Sequence, residues 1–107
     1  MGKEELKKME EEIGEIKREL ARIGAMRPGS LTRQYRNPVD KTGAHYQLSY
    51  MHKMKSRTEY VRPQFVEQTQ KQVAAYKRFK KLTQRWVDLG IAHAKLTVEI
   101  AKKEMEK

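Results

Sequence analysis

Hydrophobic residues recur at alternating intervals of three and four through the first quarter of the chain. This spacing places them on one face of an α-helix and is typical of a coiled-coil seam. The seam consists of Leu6, Met9, Ile13, Ile16, Leu20 and Ile23. It predicts a helix over residues 3–25, ended by Arg27-Pro28-Gly29-Ser30 because proline cannot continue a helix. About three heptads are marginal alone, so this helix needs a partner.

A period of two replaces the helical spacing in residues 44–62, where Tyr46, Leu48 and Tyr50 alternate with polar residues. Alternation with aromatic side chains is typical of a β-strand. The polar stretch from Met51 to Lys55 favours a turn, so the pattern predicts a β-hairpin with one aromatic and one polar face.

A further strand over residues 31–36 would give the sheet three members, about the minimum for independent stability. On that strand Leu31, Arg33 and Tyr35 would share one face. Residues 37–43 are rich in turn formers and predict a loop of about seven residues.

Pro63 is suited to the first turn of a helix, and no proline follows it. Helical spacing of apolar residues predicts one long helix from there to residue 107, with a kink expected at Gly90. The helix has a basic first half, which suits the glutamate-lined flank of the N-terminal seam in an antiparallel helix pair. Its apolar second half predicts homo-oligomer contacts through Trp86, Leu89, Leu96 and Ile100.

These elements predict an α+β fold in one structural domain with three segments. They are a coiled-coil helix (1–26), a basic β-hairpin or small sheet (27–62) and a long helix (63–107).

Charge is unevenly distributed along the chain, whose formal net charge is +10. Residues 27–81 hold thirteen Lys and Arg against three acidic residues, so this block carries the whole excess. A concentrated basic block favours a polyanionic partner, although a solvated basic surface is the simpler alternative. The candidate nucleic-acid-binding residues are Arg33, Arg36, Lys41, Gln47, Lys53, Lys55, Arg57, Arg62, Lys77, Arg78, Lys80 and Lys81.

Catalytic chemistry has little support in the sequence. The histidines are His45, His52 and His93, and no metal-ligand set, phosphate loop or nucleophile motif accompanies them. We therefore expect no enzyme activity, no metal and no cofactor. The absence of cysteine excludes disulfides and favours the cytoplasm, and no apolar run approaches the about 20 residues that cross a bilayer.

Four short segments resemble a family of small uncharacterised proteins often encoded beside transposases. The segments are Gly29-Ser30-Leu31-Thr32-Arg33-Gln34-Tyr35, His45-Tyr46-Gln47-Leu48-Ser49-Tyr50, Arg57-Thr58-Glu59-Tyr60-Val61 and Val73-Ala74-Ala75-Tyr76-Lys77-Arg78-Phe79. The resemblance covers roughly residues 26–90. The family usually has a cysteine-rich knuckle where this chain has residues 36–43 and no cysteine. The resemblance implies a mobile-DNA context and a transposase or recombinase partner.

Together these features predict a non-enzymatic DNA-binding accessory protein of a mobile element, located with the nucleoid. The alternative is a coiled-coil adaptor or assembly subunit whose basic surface is incidental. RNA binding is a third possibility that composition does not separate from DNA binding.

Overall fold

The computed structural model describes residues 2–106 and has the predicted α+β fold. Helix α1 spans Gly2–Arg22, and strands β1, β2 and β3 span Ser30–Asn37, Thr42–His52 and Lys55–Val61. A 3-10 turn at Pro63–Phe65 leads into helix α2, Val66–Met105. The chain divides into two compact units. One unit is Gly24–Arg78, and the other combines the residues up to Ile23 with those from Phe79 onward.

The sheet unit is an antiparallel meander in the order β1-β2-β3, so the optional third strand is present. Leu48 lies fully buried at the centre of β2 and forms the core with Val61 of β3 and Val73 of α2. Tyr46 and Tyr50 pack against the same cluster. The face of alternate residues predicted to be aromatic is therefore the face that packs on α2.

Gly29 allows the chain to enter β1 close to the core. Its φ is +140°, and a Cβ at this position would lie 2.7 Å from Leu48 Cδ1 and 3.0 Å from the Ser49 carbonyl oxygen. A side chain cannot occupy that space without moving the sheet, so glycine is needed here for both conformation and room.

The β2–β3 turn corrects the expected arrangement of the hairpin cations. Lys53 and Met54 alone form the turn, both with positive φ (52° and 65°), which is the signature of a type I′ hairpin. Lys53 is therefore not extended in line with Lys55 and Arg57 as predicted. Because Arg57 pairs with Tyr50, those strand cations belong to the same sheet face as the aromatic residues, although both are exposed.

The β1–β2 connection is shorter than expected, four residues between Asn37 and Thr42. Asn37 closes it by donating from Nδ2 to Asp40 Oδ2 (2.8 Å), while the Asp40 backbone N–H donates to Asn37 Oδ1 (3.3 Å). These local side-chain bonds hold the turn at the end of the strands.

In the helical unit, α1 runs antiparallel to the part of α2 that begins at Phe79. Glu12 pairs with Arg85, whose Nη2 lies 3.1 Å from Oε1, and Glu10 Oε1 lies 3.0 Å from His93 Nε2. Lys17 Nζ stands 5.4 Å from the centre of the Trp86 ring. The expected antiparallel pair is present, and Arg85 of the basic first half of α2 pairs with Glu12 of the glutamate flank as predicted. The contact also continues along the second half of α2, where Glu10 faces His93.

The hydrophobic seam of α1 is turned toward this contact. All six of its residues are at least partly buried, and Ile16 is 4% exposed. On α2, Leu89 is buried, and Ile100 lies so close to Gly2 that a Cβ there would meet Ile100 Cδ1 at 2.8 Å. Trp86, Leu89, Leu96 and Ile100 therefore serve a contact inside the chain, between α1 and α2. A contact between subunits through the same residues stays a prediction.

The end of α1 and the course of α2 at Gly90 also differ from the prediction. Helix α1 ends at Arg22, where the Ile23 N–H donates to the Leu20 carbonyl in a tighter final turn, and it does not continue to residue 25. Helix α2 continues through Gly90 without interruption, because a single glycine costs a helix about 1 kcal/mol and the surrounding turns retain their hydrogen bonds.

Candidate nucleic-acid interface

The sheet face opposite α2 is polar and almost free of charge. Directly paired residues of antiparallel strands point to the same side, so the strand pairing assigns the members of this outer face. They are Ser30, Thr32, Gln34, Arg36, His45, Gln47, Ser49, Met51, Ser56, Thr58 and Tyr60. Hydroxyl and amide groups dominate, which gives the face hydrogen-bond donors and acceptors but no carboxylate.

A shallow depression of about 330 Å³ lies at the β1–β2 end of the outer face, lined by Arg36, His45, Gln47 and Tyr60. The rings of His45 and Tyr60 are 6.1 Å apart and tilted by 40°. The Arg36 side chain crosses Gly43, where an added Cβ would lie 2.9 Å from Arg36 Cβ. Since Gly43 also has a φ of +67°, glycine both forms the turn and makes room for the arginine.

The opposite end of the sheet carries the hairpin tip. Lys53, Lys55 and Arg57 are all exposed there, and Met54 between them is 93% exposed. Four neighbouring side chains at this tip therefore combine three cations with one solvated apolar group. β2 separates this tip from the Arg36 end by eleven residues, about 36 Å of extended chain.

The two acidic side chains between residues 30 and 62 already have partners. Glu59 accepts from Tyr50 Oη (2.9 Å) and from Arg27 Nη2 (3.0 Å), and Asp40 accepts from Asn37. Among the described residues, no carboxylate lies within 4.0 Å of the basic groups in this segment. These unpaired cations are Arg33, Arg36, Lys41, Lys53, Lys55, Arg57 and Arg62.

The predicted binding residues therefore separate into distinct groups. Arg36 and Gln47 both line the depression on the outer face, Lys41 lies in the β1–β2 turn, and Lys53, Lys55 and Arg57 occupy the hairpin tip. Arg33 lies on the α2 side with its guanidinium 5.4 Å from the Tyr35 ring centre. The remaining members are exposed at the junction with α2 or along that helix: Arg62, Lys77, Arg78, Lys80 and Lys81.

His45 and Tyr60 belong to the outer face but were not among the predicted binding residues. Their positions follow from strand pairing, since Thr32, Gln47 and Tyr60 occupy one row across the three strands. Alternation within β2 alone assigns His45 and Gln47 to one side. The exact length of the β2–β3 turn is needed before Tyr60 can be placed with them.

The described residues contain no group of three or more His, Cys, Asp or Glu side chains placed to hold a metal ion. Within the same range, no helix combines the length and apolar character needed to span a membrane. What the sheet offers chemically is hydrogen bonding and positive charge.

Comparisons with protein-family models, curated proteins and solved structures found no match to this chain. The resemblance to transposase-associated proteins consequently stays a prediction from four short segments.

Proposed function

We propose that this chain is a non-enzymatic DNA-binding protein that contacts duplex DNA through its sheet. The observation that carries the proposal is the set of seven cations between residues 30 and 62 that lack a carboxylate partner, beside acids that are already paired. Cations without carboxylate partners repel each other within one small sheet unit, and phosphates relieve that repulsion while DNA releases its counterions.

The arrangement along the sheet suits a duplex in two ways. About 36 Å separates the two cationic ends of β2, close to the 34–36 Å of one B-DNA turn, so both ends can reach phosphates of one duplex. Between them, Gln47 and its uncharged neighbours offer hydrogen-bonding groups to base edges. Phosphate contacts would position the protein, and the outer face would read sequence.

Duplex DNA is preferred over duplex RNA in this proposal. The major groove of B-DNA admits a β-ribbon, whereas the A-form major groove is deep and narrow. Single-stranded RNA remains an outcome of the test, since stacking on Tyr60 would also suit an unpaired base.

The first experiment compares two triple variants with the same change in net charge. Lys53→Gln/Lys55→Gln/Arg57→Gln removes the cations of the hairpin tip. The matched control, Lys7→Gln/Lys8→Gln/Arg18→Gln, removes three exposed cations of α1, which lies in a slightly acidic segment. Fluorescence anisotropy with labelled duplex over a range of salt gives affinity and salt slope for each.

We expect the tip variant to bind more weakly and to lower the slope of log affinity against log salt by about two to three. The α1 control should change the slope by less than about one. An equal loss in both variants, or no duplex binding by the unmodified chain at low salt, would favour the adaptor function. Stronger binding to single-stranded RNA than to duplex DNA would assign the sheet to RNA.

A second pair of variants separates base recognition by the outer face from phosphate binding by the cations. Gln47→Ala and Tyr60→Ala alter the outer face without changing charge, so each should reduce discrimination between duplex sequences and leave the salt slope unchanged. A change of slope without a change of discrimination would contradict the assigned role of this face.

We extend the proposal to a role beside a transposase or recombinase, which rests on the resemblance of the four segments alone. Its test is competition between a duplex carrying the terminal repeat of a mobile element and a scrambled duplex of equal length and composition. Equal competition would remove the mobile-element role and leave general DNA binding.

The adaptor alternative has one specific observation in its favour. Helix α2 has a second row of exposed apolar residues, which no described residue of its own unit covers.

A further inference from the structure

Helix α2 carries a second apolar stripe on the side opposite α1. Its members are Val87, Ile91, Ala94, Val98, Ala101 and Met105, spaced four, three, four, three and four residues apart. At 100° per residue, this stripe lies about 150° around the helix from the Trp86 and Leu89 seam. All six residues are exposed, with Ile91 at 52% and Met105 at 85%.

This pattern differs from the scattered apolar residues that normal surfaces contain. The alternating spacing continues over 19 residues, about 28 Å of helix, and is that of a coiled-coil seam. A continuous apolar face of this kind is characteristic of an interaction surface.

We propose that the stripe binds the same stripe of a second copy of this chain, with the two α2 helices antiparallel. In that arrangement positions whose numbers add to 192 face each other. Ile91 then lies opposite Ala101, Val98 opposite Ala94, and Met105 opposite Val87 of the second copy. Each large side chain meets a smaller one, which fills the space between the helices. A parallel pair would instead set Ala94 against Ala94 and Ala101 against Ala101, leaving gaps.

The charges beside the stripe also select the antiparallel pairing. Asp88, Lys95 and Lys102 lie along one flank, all at heptad position e. In an antiparallel coiled coil, each e position faces an e position of the partner helix. Asp88 faces Lys102 of the second copy, and symmetry makes this pair twice. Lys95 meets Lys95 at the axis, which offsets part of the gain. A parallel pair sets Thr97 beside Lys102 and forms no such ion pair.

The small size of the contact determines the protein concentration at which the dimer is detectable. One helix face per chain buries less than the about 1,600 Å² of a standard interface, so we expect a dissociation constant in the micromolar range. Sedimentation velocity from about 1 to 500 μM covers that range.

The test uses the full chain with a charge placed in the stripe. Ile91→Glu should raise the dimer dissociation constant at least about tenfold, because the new carboxylate must be desolvated against Ala101. Ala21→Glu, which adds the same charge at an exposed position of α1, should leave it unchanged. Circular dichroism confirms that both variants remain helical.

Charge reversal tests the orientation independently of the stripe's hydrophobicity. Asp88→Lys alone should weaken the dimer several-fold, and Asp88→Lys/Lys102→Asp should restore it. A monomer throughout the concentration range, or a dimer unaffected by Ile91→Glu, would overturn the proposal. Weakening by Asp88→Lys without rescue in the double variant would overturn the antiparallel arrangement.

Discussion

Glu59 is the acidic side chain of β3, and two neighbouring groups stabilise its ionised form by hydrogen bonds. Tyr50 Oη donates to one carboxylate oxygen at 2.9 Å, and Arg27 donates to the other at 3.0 Å. Arg27 also lies 5.1 Å from the Tyr50 ring centre, and its backbone N–H donates to the Gln72 carbonyl. The hydrogen bond from Tyr50, followed by that from Arg27, lowers the pKa of Glu59 below its ordinary value of 4.5.

Because of this lowered pKa, Glu59 contributes to the free energy of unfolding in a pH-dependent way. Because its pKa is lower in the folded chain, the contribution is present above about pH 4.5 and is lost as pH falls through the folded value. Glu59→Gln should therefore lower the free energy of unfolding at pH 7, by less than about 1 kcal/mol because the pair is solvent-exposed. The difference between variant and parent should shrink as pH falls below about 4.5.

Urea unfolding at several pH values measures the difference, and NMR titration of Glu59 measures its pKa directly. Tyr50→Phe keeps the ring beside Arg27 but removes the phenol donor, so it should move the pKa of Glu59 toward its ordinary value. A stability difference that stays constant from pH 7 to about pH 3 would exclude this origin.

Two glycines have a structural role that local sequence patterns do not reveal. Gly29 and Gly43 were predicted only as turn formers. The reason each position excludes a side chain lies across the sheet, in Leu48 for Gly29 and Arg36 for Gly43. Contacts of that kind depend on strand register, which local patterns do not specify.

At the scale of elements, the helices and strands were predictable because their hydrophobic periods are long and regular. The side of the sheet on which a cation lies was not, because it depends on the turn length. A two-residue turn pairs His52 with Lys55, and this pairing sets Lys55 and Arg57 beside the aromatic residues of β2. Alternation read within each strand alone could not supply that pairing.

The same turn yields a prediction at the element scale. Lys53 and Met54 adopt positive φ, where a residue with a side chain is disfavoured and Asn-Gly is preferred. Lys53→Asn/Met54→Gly should therefore raise the free energy of unfolding by about 1 kcal/mol, measured by urea denaturation. Lys53→Pro, which locks φ near −65°, should disrupt the hairpin. If proline is tolerated, the turn does not have this geometry.

At the scale of the whole molecule, charge and apolar surface are divided between the two units. Gly24–Arg78 contains eleven Lys and Arg against three acidic residues, whereas the helical unit contains thirteen against eleven. The concentration of charge was visible in the sequence. The part of α2 that packs on α1 was only partly predictable from the sequence, because both halves of α2 contain apolar residues. The folded structure assigns the Trp86 seam to α1.

This division leads to a prediction that joins the two proposals. If the sheet binds DNA and α2 joins two copies, a dimer presents two basic sheets, and a duplex long enough for both gains from effective concentration. One sheet covers about 36 Å, or about 11 base pairs, so a duplex of about 12 base pairs holds one sheet and one of about 40 can hold two. Ile91→Glu should weaken binding to the longer duplex about tenfold or more and leave the shorter one unchanged. Anisotropy with both duplexes measures this, with Ala21→Glu as the control of equal charge. Equal weakening on both lengths would place the stripe itself at the DNA, and no change on either would mean that the two sheets bind independently.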